Sequence, residues 1–273
     1  PPMKHRRDDR ATWLVSTLIS ELQAARHKAL LISPYFVPGN EGLDGFSAMA
    51  GRGVQVGVVT NSLAANDVAA VHGGYMGYRV PLLEAGVHLY ELKAQGQSGD
   101  AGVFGSSGAS LHTKAFLIDD RRGFVGSFNL DPRSAYLNTE MGVLFDDPVL
   151  GTQLRDEYLR LADPRHSWWL ALDDRRRLRW LEREPPPHWV EAEPGATARK
   201  RWLSRVISWL PVESQLYRSG RRSGLILSGL VQRFHVAPMQ APPDPAQCMR
   251  RCRGQLLQQG QHAALEIGRA PCR

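Results

Sequence analysis

Long apolar runs are missing. No stretch of the 273 residues approaches the roughly 20 apolar residues that a membrane-spanning helix requires, and no charged start followed by a short apolar segment marks a signal peptide. Cysteine is scarce as well: Cys248, Cys252 and Cys272 all lie in the last stretch, where C-x3-C without neighbouring histidines is a weak metal signal. The chain opens on Pro1-Pro2, so an N-terminal part is expected to be missing.

What is present is the composition of an ordinary soluble globular protein, 42% hydrophobic and 22% charged. One domain of about 200 residues with an appendage is the simplest division. Lys and Arg number 34 against 27 Asp and Glu, a net charge of +7. The excess favours anionic partners, either lipid headgroups or nucleic acid, and charge alone does not choose between them.

The informative stretch is residues 111–140. Residues 111–118 alternate and are rich enough in β-formers to make a strand, and residues 124–128 make a second one after a turn at 119–123, giving a hairpin. Side chains two apart on a strand share a face, so His112 and Lys114 point one way, and Ser127 and Asn129 pair likewise on the return. Such a set suits a phosphate. Lys114 supplies charge, Ser127 and Asn129 supply neutral donors, and His112 is the group able to attack phosphorus or pass a proton near neutrality, all without a metal or cofactor. Asp119 begins the turn, where aspartate is favoured for its own backbone hydrogen bonds, so a structural role stands beside a chemical one.

Elsewhere the pattern alternates between helix and strand. Residues 11–25 carry Leu14, Val15, Leu18, Ile19 and Leu22 at helical spacing. A short strand at 29–33 runs into an irregular Pro- and Gly-containing loop at 34–39, whose Tyr35 is a candidate for the substrate pocket. A short helix at 43–50 and a strand at 54–60, buried on both faces, follow. Asn66-Asp67 is expected to cap a helix running to about residue 78, in which His72 among small residues is a second pocket candidate. Next come a strand at 87–90, a Gly- and Ser-rich loop at 94–109, a strand at 141–145, and a helix from Asp147-Pro148 to about residue 162. The fold class is α/β, a mixed sheet sandwiched by helices.

The character changes from residue 164, where six tryptophans fall among clustered arginines. In residues 199–210, Trp202, Leu203, Val206, Ile207 and Leu210 form one face, while Arg199, Lys200, Arg201 and Arg205 lie largely on the other. A basic helix with an aromatic apolar face fits an anionic membrane surface, and a helix packed on the core with solvated arginines fits equally well. After about residue 216 the chain is rich in Gln, Arg, Pro and Gly without periodicity and reads as disordered or foreign. The expected organisation is a truncated remnant at 1–11, a catalytic half at 12–165, a Trp- and Arg-rich extension at 166–216 and a tail at 217–273.

His112, Lys114, Asp119, Gly126, Ser127 and Asn129 match the phospholipase D superfamily signature H-x-K-x4-D-x6-G-S-x-N at every fixed spacing. That superfamily places an acidic residue beyond the asparagine to hold the second ring nitrogen of the histidine, and Glu140 sits where it would fall. With SPYFVPG, TNSLAANDVAAVHGGYMGYR and WLPVESQL, residues 12–216 resemble the second half of bacterial cardiolipin synthases, the C-type in particular. The resemblance implies a peripheral enzyme of the bacterial inner membrane, built of two paired halves with one motif each. It also implies a phosphatidyl-histidine intermediate, with His112 favoured as general acid and Asp119 and Glu140 counted with the catalytic set. Only one motif is present here. The expected partners are anionic phospholipids, a membrane surface, and either the missing N-terminal half or a second copy of the chain; nucleic acid is less favoured. Two alternatives stay open: a homodimeric metal-independent nuclease, and a membrane-binding remnant without activity.

Overall fold

Residues 29–32 and 56–59 are apolar or glycine at every position, and such uninterrupted runs fit a sheet covered on both faces. In the computed structural model, residues 14–94, 111–182 and 187–209 are described. All of them fall within the unit Pro1–Arg221, and the expected remnant at 1–11 and tail at 217–273 lie outside the described residues. So do residues 95–110, most of the expected Gly- and Ser-rich loop.

The elements run in the order α1 (Leu14–Gln23), β1 (Lys28–Ile32), α2 (Gly39–Gly51), β2 (Gln55–Asn61), α3 (Ala69–Met76), α4 (Arg79–Glu84), β3 (His88–Leu92), β4 (Lys114–Ile118) and β5 (Arg122–Gly126). They continue with α5 (Pro132–Tyr136), β6 (Gly142–Asp146), α6 (Pro148–Ala162), β7 (Ser167–Leu172), β8 (Leu178–Glu182), β9 (His188–Val190) and α7 (Ala198–Trp209). The strands form one mixed nine-stranded sheet in the order β6-β5-β4-β1-β2-β3-β7-β8-β9. β1, β2 and β3 are mutually parallel, and every other pairing is antiparallel.

Leu31 joins Leu18 and Leu22 of α1, Phe46 and Met49 of α2 and Leu82 of α4 in the larger core. Its neighbours Leu30 and Ile32 point the other way, to Tyr158 and Leu161 of α6. Each such side chain taken out of water contributes about 1.5–3 kcal/mol. Gly57 of β2 makes the α6 packing possible, since a Cβ there would lie 2.2 Å from the Tyr158 hydroxyl. α6 starts where Asp147-Pro148 indicates: the Asp147 carboxylate accepts from the N–H groups of Val149 and Leu150, both at 2.8 Å.

Several boundaries differ from the sequence reading. α2 begins at Gly39, directly behind Pro38, so the irregular loop is shorter than expected. Asn66 does not cap α3. Its side-chain oxygen accepts from Val68 N at 2.9 Å in a local turn, and the helix starts at Ala69 without a side-chain cap. The extension at 166–216 also begins as part of the same sheet, because β7 pairs with β3 and carries β8 and β9 with it. Trp168 and Trp180 are buried in the larger core, while the arginines between them occupy the turn and its flanks.

Candidate active site

The hairpin forms with tighter limits than the periodicity indicated. β4 starts at Lys114, so His112 lies just before the strand, and β5 ends at Gly126, which leaves Ser127 and Asn129 just beyond it. Asp119 and Asp120 take the left-handed backbone conformation, φ 51 and 57, and Arg121 N donates to Ile118 O at 3.1 Å. These are the features of the mirror-image turn that matches strand twist, and Asp tolerates it. Lys114 pairs with Gly126, which brings the two motif ends together beside the C-terminal end of β1.

Here His112 is exposed, and among the described residues its ring makes no hydrogen bond. Lys114 is buried, and its ammonium donates to the His112 carbonyl at 2.6 Å. Burial draws Lys114 below the usual lysine range, although the Glu140 and Asp131 carboxylates favour its charged form. Ser127 Oγ donates to Glu140 Oε2 at 2.5 Å and accepts from Met141 N at 3.0 Å. Glu140 Oε1 accepts from Asn138 Nδ2 at 3.1 Å. Glu140 therefore braces Ser127 and faces the charge of Lys114, instead of holding the second ring nitrogen of His112. Asn129 is buried, and its side-chain oxygen has no hydrogen-bond partner among the described residues.

Asp119 is not brought to this group. It sits at the far end of β4, about 16 Å from Lys114 at the usual rise of an extended strand. Its carboxylate accepts from the N–H groups of Arg26 at 3.1 Å, His27 at 2.8 Å and Lys28 at 2.9 Å. Partial burial pushes its pKa up, but those three donors outweigh it and leave the group below the usual aspartate range. The placement is that of a tether between the turn and the start of β1.

Three residues that the sequence reading passed over shape the site. Ser33 Oγ donates to Tyr35 O at 2.7 Å and accepts from Leu130 N at 3.1 Å, tying the loop after β1 to the motif. Asp131 caps α5 by accepting from Arg133 N and Ser134 N, and burial raises its pKa. Asn61, buried at the end of β2, accepts from Leu111 N at 2.9 Å and donates to Leu111 O at 3.4 Å. That carboxamide does the work of a neighbouring strand for the residue before His112. The sequence signal for it was the TNSLAAND run, whose polar residues end an otherwise apolar strand.

The two pocket candidates separate. Tyr35 is half-buried and donates to Asp67 Oδ1 at 2.7 Å; burial and that carboxylate raise its pKa to about 12. His72 is wholly buried, 3.5 Å from Glu193 Oε2. Glu193 also accepts from Arg79 Nη2 at 2.6 Å, Arg79 Nη1 donates to Glu91 Oε1 at 3.1 Å, and Trp180 donates to Glu91 Oε2 at 2.8 Å. His72 thus belongs to a buried charge network linking α3, α4, β3 and β8, and no edge of it reaches solvent.

The basic helix also differs from expectation. Lys200 of α7 turns inward and donates to Ala64 O at 3.1 Å and Asn66 O at 2.7 Å, so it is withdrawn from the expected surface contacts. Arg201 is half-buried, with Nη1 at 3.5 Å from Glu193 O. Trp202, Arg199 and Arg205 are exposed together. Among the described residues, no helix is long and apolar enough to cross a membrane.

The sheet and the H-x-K hairpin together define a phospholipase D-like domain. The chain belongs to the cardiolipin synthase family of such domains: the family described as cardiolipin synthase, PLD-like domain, matches residues 18–162, more than half of the chain. It is 44% identical over 188 residues to cardiolipin synthase C of Escherichia coli (strain K12), a match spanning 67% of this chain and 40% of that protein. Cardiolipin synthase A of Yersinia pseudotuberculosis serotype O:1b (strain IP 31758) is 32% identical over 145 residues, 52% of this chain and 26% of that one. Among solved structures, Nuc, a phospholipase D family member from Salmonella typhimurium, superposes with a TM-score of 0.43 at 16% identity, covering 54% of this chain and 84% of that chain. The chain therefore spans less than half the length of these cardiolipin synthases.

Proposed function

We propose that the chain forms the second-motif half of a phosphatidyltransferase that makes cardiolipin from phosphatidylglycerol and a second phospholipid. In the first step a histidine nitrogen bonds to phosphorus as the bond to the leaving glycerol oxygen breaks, and the other motif histidine delivers a proton to that oxygen. In the second step the acceptor hydroxyl gives up its proton to the histidine that protonated the leaving oxygen, its own oxygen bonds to phosphorus and the phosphorus–nitrogen bond breaks. His112 is the proton carrier of this half. Lys114 and Asn129 hold the phosphate oxygens as charge builds, and Ser127 joins them when its single O–H turns from Glu140 to the phosphate. Glu140 fixes the Ser127 hydroxyl and favours the charged form of Lys114.

The observation that carries this reading is the exposed His112 ring, without a hydrogen bond among the described residues, above a buried Lys114 ammonium 2.6 Å from its carbonyl. One such histidine performs one of the two roles, so a second is needed. Support for a covering half comes from the apolar edge formed by β6 and the residue before it, where Val143 is 66% exposed and Met141 76%. The same edge suits a second copy of the chain, and with the net charge of +7 it favours a second reading, a symmetric phosphodiesterase acting on nucleic acid.

A chimera separates the two. The matched segment of Escherichia coli cardiolipin synthase C is replaced by this chain and expressed in cells lacking their own cardiolipin synthases. Cardiolipin in the lipid extract, absent with His112→Ala, is the expected result. A stably expressed chimera that makes no cardiolipin, together with DNA cleavage by the purified chain, supports the nuclease reading instead.

A further inference from the structure

Helix α7 is mounted with its aromatic and apolar face pointing away from the protein. Its inward face is Lys200, Ser204 and Ile207, one stripe at helical spacing. Ser204 is fully buried, and Lys200 is bonded to two carbonyls before α3. On α3, Gly73 accepts this face closely: a Cβ there would lie 2.8 Å from Ile207 Cγ2 and 3.2 Å from Ser204 O. Thr197 starts the helix by accepting from Lys200 N at 3.2 Å. Lys200, Ser204 and the single aliphatic residue Ile207 thus make the seat, while most of the apolar stripe faces away from the protein.

The outward face is therefore unpaired among the described residues. Trp202 is 65% exposed, Leu203 42% and Val206 37%, and Arg199 and Arg205 lie one turn to either side of Trp202. The twelve residues of α7 include four basic ones and no acidic one. An exposed tryptophan with aliphatic neighbours, bordered by uncompensated guanidinium groups, is complementary to one kind of surface: apolar just below a layer of negative charge. A protein partner would have to supply both an apolar pocket and carboxylates on either side of it, whereas an anionic bilayer supplies both everywhere.

We propose that the outward face of α7, comprising Arg199, Trp202, Leu203, Arg205 and Val206, docks the protein in plane on an anionic lipid bilayer. The proposal goes beyond the transfer chemistry and does not depend on it. Because Lys200 ties α7 to the turn before α3, and Ser204 and Ile207 pack against Gly73 of α3, docking holds the whole unit at a set orientation to the lipid.

The test is co-sedimentation of the full chain with vesicles of phosphatidylcholine alone and of phosphatidylcholine mixed with phosphatidylglycerol, read without turnover. Wild-type protein is expected to bind the mixed vesicles and not the neutral ones. Arg199→Gln with Arg205→Gln is expected to weaken that binding about 30-fold, at about fivefold per charge near an anionic surface. Trp202→Ser with Leu203→Ser is expected to weaken it at least about tenfold, the scale of one apolar side chain returned to water. All four side chains point outward, so the far-UV spectrum should be unchanged, and a variant that loses its helical signal is replaced by Val206→Ser. Equal binding to neutral vesicles, or unchanged binding of both variants, overturns the proposal. So does an absence of vesicle binding, whether or not the chain self-associates through Trp202. A failed transfer assay leaves this result standing, and failed docking leaves the transfer reading standing.

Discussion

The carboxamide of Asn61 brackets the peptide of Leu111, accepting its N–H at 2.9 Å and donating to its C=O at 3.4 Å. Fifty residues of sequence separate the two, and the next residue after Leu111 is His112. Asn61 touches no reacting atom in this account; it positions the segment that carries the imidazole. Asn61→Ala in the chimera is expected to lower kcat about 100-fold with KM little changed, because misplacement by about 1 Å costs that much in oriented reactions. Steady-state kinetics on phosphatidylglycerol vesicles give the split. A change confined to KM would place Asn61 in lipid binding instead.

Asp119 is a structural test case. Asp119→Ala frees three backbone N–H groups of residues 26–28 at a partly exposed site, with an expected cost of about 1–2 kcal/mol. Its folded pKa lies below its ordinary value, so its contribution is complete above that ordinary value and is lost as pH falls through the folded one. Urea unfolding of wild type and variant should therefore differ at neutral pH and converge in acid. Cardiolipin formation per folded molecule should be nearly unchanged.

The network around Arg79 makes a larger prediction. Burial pushes Glu193 up, but Arg79 and His72 together hold it down at about 2, against an ordinary 4.5. Glu193→Gln leaves Arg79 with Glu91 alone in a site that also holds Tyr75 and Trp180, and an expected loss of about 3–5 kcal/mol follows from breaking a buried pair. The sign for a depressed carboxylate is that its stabilisation is present above 4.5 and is lost as pH drops from there toward about 2. Thermal unfolding across that window should show the wild-type advantage shrinking with acid.

The apolar edge at β6 should make the isolated chain associate. Met141→Lys with Val143→Lys is expected to leave the fold intact, because both side chains are mostly exposed, and to reduce concentration-dependent association in sedimentation velocity. A wild-type chain that stays monomeric at every concentration would count against a half lying on this edge.

Much of the fold was legible because its signals are local. The Asp147-Pro148 pair starts α6 as expected, the apolar run from Val54 makes a strand buried on both faces, and the H-x-K hairpin closes through Asp119-Asp120. What was not legible is long-range. Nothing near Asp119 in sequence indicates that its oxygens reach residues 26–28, nor does anything near Glu140 reveal that Ser127 takes its Oε2. For α7, periodicity tells which residues share a stripe but not which stripe faces inward. Gly73, whose missing side chain decides that, lies more than a hundred residues away. The strands β7 to β9 were hidden by the arginines of the turn between β7 and β8, and of their apolar residues only Trp168, Leu170 and Trp180 are buried.

The most direct measurement is the rate of cardiolipin and glycerol formation from phosphatidylglycerol by the purified chimera, wild type against His112→Ala, quantified by mass spectrometry. A positioned acid or base in this role is worth about 100- to 10,000-fold, so the variant should fall by at least that factor while its binding to anionic vesicles is unchanged. Equal rates of the two products in both proteins would contradict the assignment of His112 and, with it, the transfer reading of this half.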